Sequence, residues 1–306
     1  MKTNKDILPF QGLLNGIGQV YFTLSIMTST LLLLAISIES LALAFLTLLG
    51  ASCSYALAFY GYMYTNTNKS VDDIDSGMYA LNGALIGLFI GNFFGVTPLL
   101  ALVTALGALL TVPIAHIVFS FEKYRGYTSA FILTTWLIYI IQSTFELSAF
   151  SAPDSALMPL ISIEANSWFN LPTVVIPLLK GISQVSFIEN ALSGLVILVA
   201  IALNNIKHAI WVMLAVIIST VFSGLIGASN ELVAQGLYGY NAILATLALV
   251  PYPRIRWPLI LLGMLLSCLI TLGFHELSLL PLTAPFILST WGMVYLSSLI
   301  HKRTIS

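Results

Sequence analysis

From about residue 23 to residue 301 the chain is a succession of apolar runs, most of them long enough to cross a hydrocarbon core as a helix, with few polar residues between them. Inside a bilayer every backbone N–H and C=O needs a partner within the protein, which only helices and closed barrels provide. A barrel would read as short alternating segments, and these runs are continuous. Only 8% of the residues are charged, against about a quarter in a soluble domain. The chain is therefore expected to be an all-α, polytopic membrane protein.

The runs predict ten crossings, at about 23–38, 40–63, 77–93, 96–119, 127–144, 191–204, 208–229, 236–250, 257–274 and 284–301. Lys and Arg collect on the cytoplasmic side of membrane proteins, so the charges test the count. With the N-terminus inside, Lys2, Lys5, Lys69, Lys123, Arg125, Lys207, Arg254, Arg256, Lys302 and Arg303 share one face, and only Lys180 falls on the other. The loop from about 145 to 171 carries acids and no base, as an external loop should. Both termini are then cytoplasmic and the location is the inner, or plasma, membrane. The first twenty residues lack the features of a signal peptide, so Met1 is expected to remain.

One phrase occurs twice. LLNGIGQVYF at 13–22 and LLKGISQVSF at 178–187 agree at seven of ten positions. In the same order, GMYALNGALIGL at 77–88 matches GLYGYNAILATL at 236–247, and SAFILTTW at 129–136 matches APFILSTW at 284–291. Three matches in one order describe a duplication, divided here as residues 1–165 and 166–306. Each copy holds five crossings, so the second enters from the opposite face: two inverted five-helix repeats, whose solute site is expected near the midplane.

The repeated phrase itself reads as a half-length helix. Pro172 and Pro177 suit a helix start, and from Pro177 to Phe187 is about 16 Å, half the hydrocarbon thickness. Two such re-entrant helices add to the ten crossings. Their last carbonyls lack helical partners and carry partial negative charge, so they must line a polar path suited to a hydrogen-bond donor that is not an anion.

These segments, with NALSGLVIL at 190–198, resemble the urea transporter family from about residue 8 to 301. The resemblance implies a passive urea channel, assembled as a homotrimer with one pore per subunit, surrounded by lipid and needing no cofactor. It implies that Gln19 and Gln184 end the pore helices as acceptors, that Phe22 and Phe187 are the facing rings of a slot, that Leu85 and Leu244 wall it, and that Val20 and Val185 narrow it. Thr135 and Thr290 would supply midpoint hydroxyls, or else bond back to their own helices. The copies depart from each other at Tyr21 and Ser186, and residues 23–29 lack the asparagine-rich turn found at 189–194.

Other readings are weaker. Asn82 and Asn241 are expected to brace the pore helices rather than touch solute, and Lys180 to snorkel to the outer surface or, alternatively, to stand as an entrance charge. His116, His208 and His301 fall near inner helix ends. His275–Glu276 opens like a zinc-protease motif, but Leu279 stands where the second histidine is required. Cys53 and Cys268 lie in apolar runs as small hydrophobes. No acid lies at the centre of an expected crossing, which disfavours an ion-coupled carrier of a small neutral solute, the alternative kept here. There is no nucleotide loop, no basic run for nucleic acid, and no base at useful spacing from Ser183 or Ser289, so neither ATP-driven pumping nor intramembrane catalysis is expected.

Overall fold

The computed structural model of the protein describes residues 10–65, 71–121, 124–145 and 174–305. Among these every regular element is helical. The first half contains α1 (Gln11–Gly18), α2 (Ile26–Glu39), α3 (Leu41–Thr65), α4 (Val71–Asp75), α5 (Met78–Phe94), α6 (Pro98–Phe119) and α7 (Ser129–Phe145). The second contains α8 (Val175–Ser183), α9 (Ala191–Asn204), α10 (Ile206–Leu225), α11 (Asn230–Ala234), α12 (Gly239–Leu249), α13 (Trp257–Glu276) and α14 (Ala284–Ile305). The acid-only loop expected after α7, with Pro172, lies outside the described residues, as do Lys2, Lys5, Lys69 and Lys123.

Among the described residues four helices are long and apolar enough to cross a membrane singly: Leu41–Tyr62, Pro98–Phe119, Ile206–Leu225 and Trp257–Glu276. Two bent pairs join them. Gln11–Tyr21 meets Ile26–Glu39 at 66°, and Val175–Ser186 meets Ala191–Asn204 at 73°. The short arms are about 16 and 18 Å long at 1.5 Å per residue. Pro177 sits in the first turn of α8, where its missing N–H costs nothing.

The expected boundaries shift where local chemistry ends a helix. The first apolar run begins at Ile26 rather than residue 23, because Ser25 is extended and caps α2 through the Thr28 N–H at 3.3 Å. Asn190 caps α9 in the same way, accepting from Leu192 and Ser193 N–H. The run expected to end at residue 229 stops at Leu225. The run expected over 236–250 forms helix only from Gly239 to Leu249, because Gly236 adopts φ +79° before it and Pro251 and Pro253 follow it.

Lipid tails are as apolar as leucine, so helices in a bilayer associate through close packing and hydrogen bonds rather than hydrophobic burial. Both are visible. Ser193 donates to the Ala35 carbonyl at 2.7 Å and Thr28 to Ala200 at 3.4 Å, tying α9 to α2. A Cβ on Gly50 would collide with the Gly83 carbonyl, so α3 lies backbone to backbone against α5.

Gly77 and Gly236 occupy matching places and share a left-handed φ of about +80°. A Cβ on Gly77 would strike the Gly16 amide of α1, and one on Gly236 the Gly181 amide of α8. Each short arm is thus pressed against the turn that opens the central helix of its own half. Gly236→Ala combines left-handed strain with this clash and is expected to cost about 2 kcal/mol or more. Thermal unfolding in detergent checks this: an unchanged midpoint would mean that α8 does not approach the turn so closely.

Candidate functional site

The short arms end identically. Each tightens into a 3₁₀ turn, Gln19–Tyr21 and Gln184–Ser186, and then reverses at a phenylalanine with left-handed backbone, Phe22 at φ 56° and Phe187 at φ 57°. The Phe22 N–H returns to the Gln19 carbonyl at 3.0 Å and the Thr23 N–H to Gly18 at 3.1 Å. Phe187 and Ile188 repeat this with Gln184 and Ser183, at 2.9 and 3.3 Å. This is a Schellman ending with phenylalanine where glycine is usual.

The glutamines are anchored by their nitrogens. Gln19 Nε2 donates to the Ser76 carbonyl at 3.2 Å, and Gln184 Nε2 to the Gln235 carbonyl at 3.1 Å. Both acceptors belong to the turn just before the positive-φ glycine. With the amide nitrogens so used, Oε1 of each is left as the acceptor.

Three cavities are lined by residues of the short arms. One of about 430 Å³ is lined by Gln19, Phe22, Asp72, Asp73, Ser76, Arg125 and Tyr127. A waist of about 20 Å³ adjoins it through Gln19, Phe22 and Tyr127, and is closed by Val20, Val185, Leu85, Leu244, Thr128 and Thr283. A third, of about 400 Å³, is lined by Gln184, Phe187, Gln235, Tyr240 and His275. Val185 faces the waist while its neighbour Gln184 lines the third cavity. The waist has room for about one water molecule.

Eight of the ten residues singled out in the sequence therefore line these spaces. Phe22 and Phe187 do so in different cavities, so the structure does not bring the two rings together in a single slot. Phe22 is held edge-on by Tyr127 and Phe286, at 5.8 and 6.4 Å between ring centres. Phe187 is held by Phe89 edge-on at 6.3 Å and by Phe131 at 5.8 Å. Phe286 and Phe131 correspond in the repeat.

Thr135 and Thr290 are fully buried, line none of the three cavities, and have hydroxyls without a hydrogen-bond partner among the described residues. The hydroxyls at the waist belong to Thr128 and Thr283, bonded to each other at 2.8 Å. A signal for them was present: the aligned segments extend one residue upstream, as TSAFILTTW and TAPFILSTW.

Asn82 and Asn241 set these threonines. Asn82 donates to the Tyr127 carbonyl at 3.2 Å and accepts from Phe131 N–H at 2.8 Å; Asn241 donates to Leu282 and accepts from Phe286, both at 3.2 Å. Tyr127 and Leu282 each have positive φ, 44° and 46°, immediately before a waist threonine. Two tryptophans lock the halves reciprocally, Trp136 Nε1 donating to the Leu280 carbonyl and Trp291 Nε1 to Arg125, both at 3.0 Å.

Charge is confined to the margins. Lys180 pairs with Glu189 at 3.2 Å, its side chain only 14% exposed. Burial, and secondarily the neighbouring Asp72, push the Asp73 carboxyl above the usual range, with Arg125 opposing. Arg125 also stands 5.8 Å above the Tyr252 ring.

A sequence model described as "Urea transporter" matches residues 10–298. Similar proteins include urea transporter 1 of Mus musculus, 39% identical over 67 residues, which is 22% of this chain and 17% of that protein. Urea transporter 1 of Rattus norvegicus is 37% identical over 67 residues, with the same shares, and that of Ovis aries 35% over 74 residues, 24% of this chain and 19% of that protein. These alignments span less than a fifth of each relative's length. The family match is far broader, taking in both short arms, all three cavities and every site residue named above, and by it this multi-pass membrane protein belongs to the urea transporter family, transport proteins rather than enzymes.

Proposed function

We propose that the protein is a passive urea channel whose route runs along the three cavities between the halves. The observation that carries this reading is the matched pair of short arms, each stopped by a left-handed phenylalanine beside a nitrogen-anchored glutamine. Urea is flat and neutral, with four N–H donors and one carbonyl. The Gln19 and Gln184 oxygens can accept from it in the wide cavities, and the Thr128 and Thr283 hydroxyls at the waist can do so between them. Acceptors held in place replace water at little reorganisation cost and bind weakly enough for release.

At about 20 Å³ the waist is smaller than urea in the present side-chain arrangement. Passage therefore needs rotamer changes at Val20, Val185, Leu85 or Leu244, movements that are fast compared with transport. Phe22 and Phe187 flatten the mouth at each end and favour planar amides over hydrated ions.

In this reading the chain crosses the inner, or plasma, membrane ten times, with α1 and α8 re-entrant from opposite faces, both termini cytoplasmic, and the halves forming inverted repeats. The trimer belongs to the same proposal. The equal order of elements, the two similar bends and the basic residues on one face support it.

Stopped-flow shrinkage of proteoliposomes tests the mechanism. Urea permeability is expected to be unaffected by an imposed proton or sodium gradient, and uphill accumulation driven by either would make the protein a carrier. Gln184→Ala should lower urea permeability about tenfold, the worth of an acceptor and its anchoring bond. Wild-type flux in that variant would remove Gln184 from the route. Phe187→Ala should admit bulkier amides relative to urea; an unaltered solute ranking would mean that the ring does not shape the mouth.

A further inference from the structure

Tyr21 breaks the symmetry of the repeat at the point where the short arms meet. Its ring is fully buried and lines none of the three cavities, so it does not touch solute on the route proposed. Its hydroxyl crosses to the other half, donating to the Ile182 carbonyl at 2.9 Å and lying 3.1 Å from Ser186 Oγ. Ser186 is its own counterpart. A serine is too short to return the bond to Ile17, the counterpart of Ile182, so among the described residues the phenol of Tyr21 makes the side-chain hydrogen bonds between the arm ends. Ser186 is itself only 2% exposed, so its hydroxyl meets the phenol away from solvent.

The residue before Tyr21 is Val20 and the residue before Ser186 is Val185, and both valines line the waist. We infer that Tyr21 is a positioning residue: its phenol ties the two arm ends together and so sets how far Val20 stands from Val185, and with it which solutes pass. This rests on the channel reading. The assembly of the halves does not depend on the tie, because Trp136, Trp291, Thr28 and Ser193 join them elsewhere.

The test is Tyr21→Phe, which keeps the ring and removes the hydroxyl, in proteoliposomes with urea and methylurea as probes. The ratio of the two permeabilities is the readout, since losing folded protein lowers both equally and leaves the ratio unchanged. The urea preference is expected to fall about fivefold, the equivalent of one hydrogen bond. Ser186→Ala alone should lower it less, and should add nothing in the Tyr21→Phe background, because both act through one tie. An unchanged ratio in Tyr21→Phe, or additive effects in the double variant, overturns the inference. Should Tyr21→Phe fail to assemble, Ser186→Val, which crowds the phenol away from Ile182, reads the same ratio, and constancy there overturns it equally. Absence of urea flux in the wild type would instead refute the channel, so the two failures are separable.

Discussion

Everything in this fold depends on two helices stopping inside an apolar body without stranding their ends. A helix terminus leaves up to four carbonyls without partners, and burying them unpaired is costly. Phe22 and Phe187 resolve part of this by reversing the chain so that the next two amides fold back on the last turn. Glycine would reverse it with no steric cost, whereas a phenylalanine in that conformation costs about 1 kcal/mol. What the phenylalanine adds is a rigid ring at the mouth of a cavity, fixed by aromatic edges. On the channel reading, backbone strain here coincides with the place where a solute is selected.

The pairs of hydrogen bonds around the seam explain which residues repeat and which do not. Gln19 and Gln184 must be glutamine because their side chains make the bond, but their acceptors are main-chain carbonyls, and Ser76 and Gln235 have no side chain in common. The same division holds for Asn82 with Tyr127 and Asn241 with Leu282, and for Trp136 with Leu280 and Trp291 with Arg125. In these three pairs the donor side chain is constant while the acceptor position varies. The repeated text is accordingly a thin set of identical residues in otherwise divergent sequence.

That division also decides how much was legible beforehand. The short arms, their glutamines and their phenylalanines could be read from the sequence because all lie within one continuous repeated phrase. The helices appeared wherever apolar runs were long, and failed where a single backbone state intervened, as at Gly236 and the prolines after α12. The waist threonines were harder. Thr128 reaches the seam only because Tyr127 has positive φ and Asn82 braces it, and neither condition leaves a periodic mark. The Lys180–Glu189 pair and the Tyr21–Ile182 bond join residues brought together by a bend or across the halves, so spacing alone could not have assigned them.

On the channel reading the two wide cavities are mouths that differ in charge, and no charged side chain lines the waist. Asp72, Asp73 and Arg125 line the cavity at the end of α1, whereas amides, two tyrosines and His275 line the cavity at the end of α8. A neutral solute is indifferent to the sign of a wet vestibule, so the mouths are free to diverge. On that reading an ion would meet, at the waist, mostly aliphatic and aromatic side chains and two threonine hydroxyls already bonded to each other. Nothing among those groups carries the opposite charge needed to replace its hydration, and the penalty for burying an unpaired charge is many times that for a hydrogen-bonded amide. On the channel reading, ions are rejected by what the narrowest point lacks.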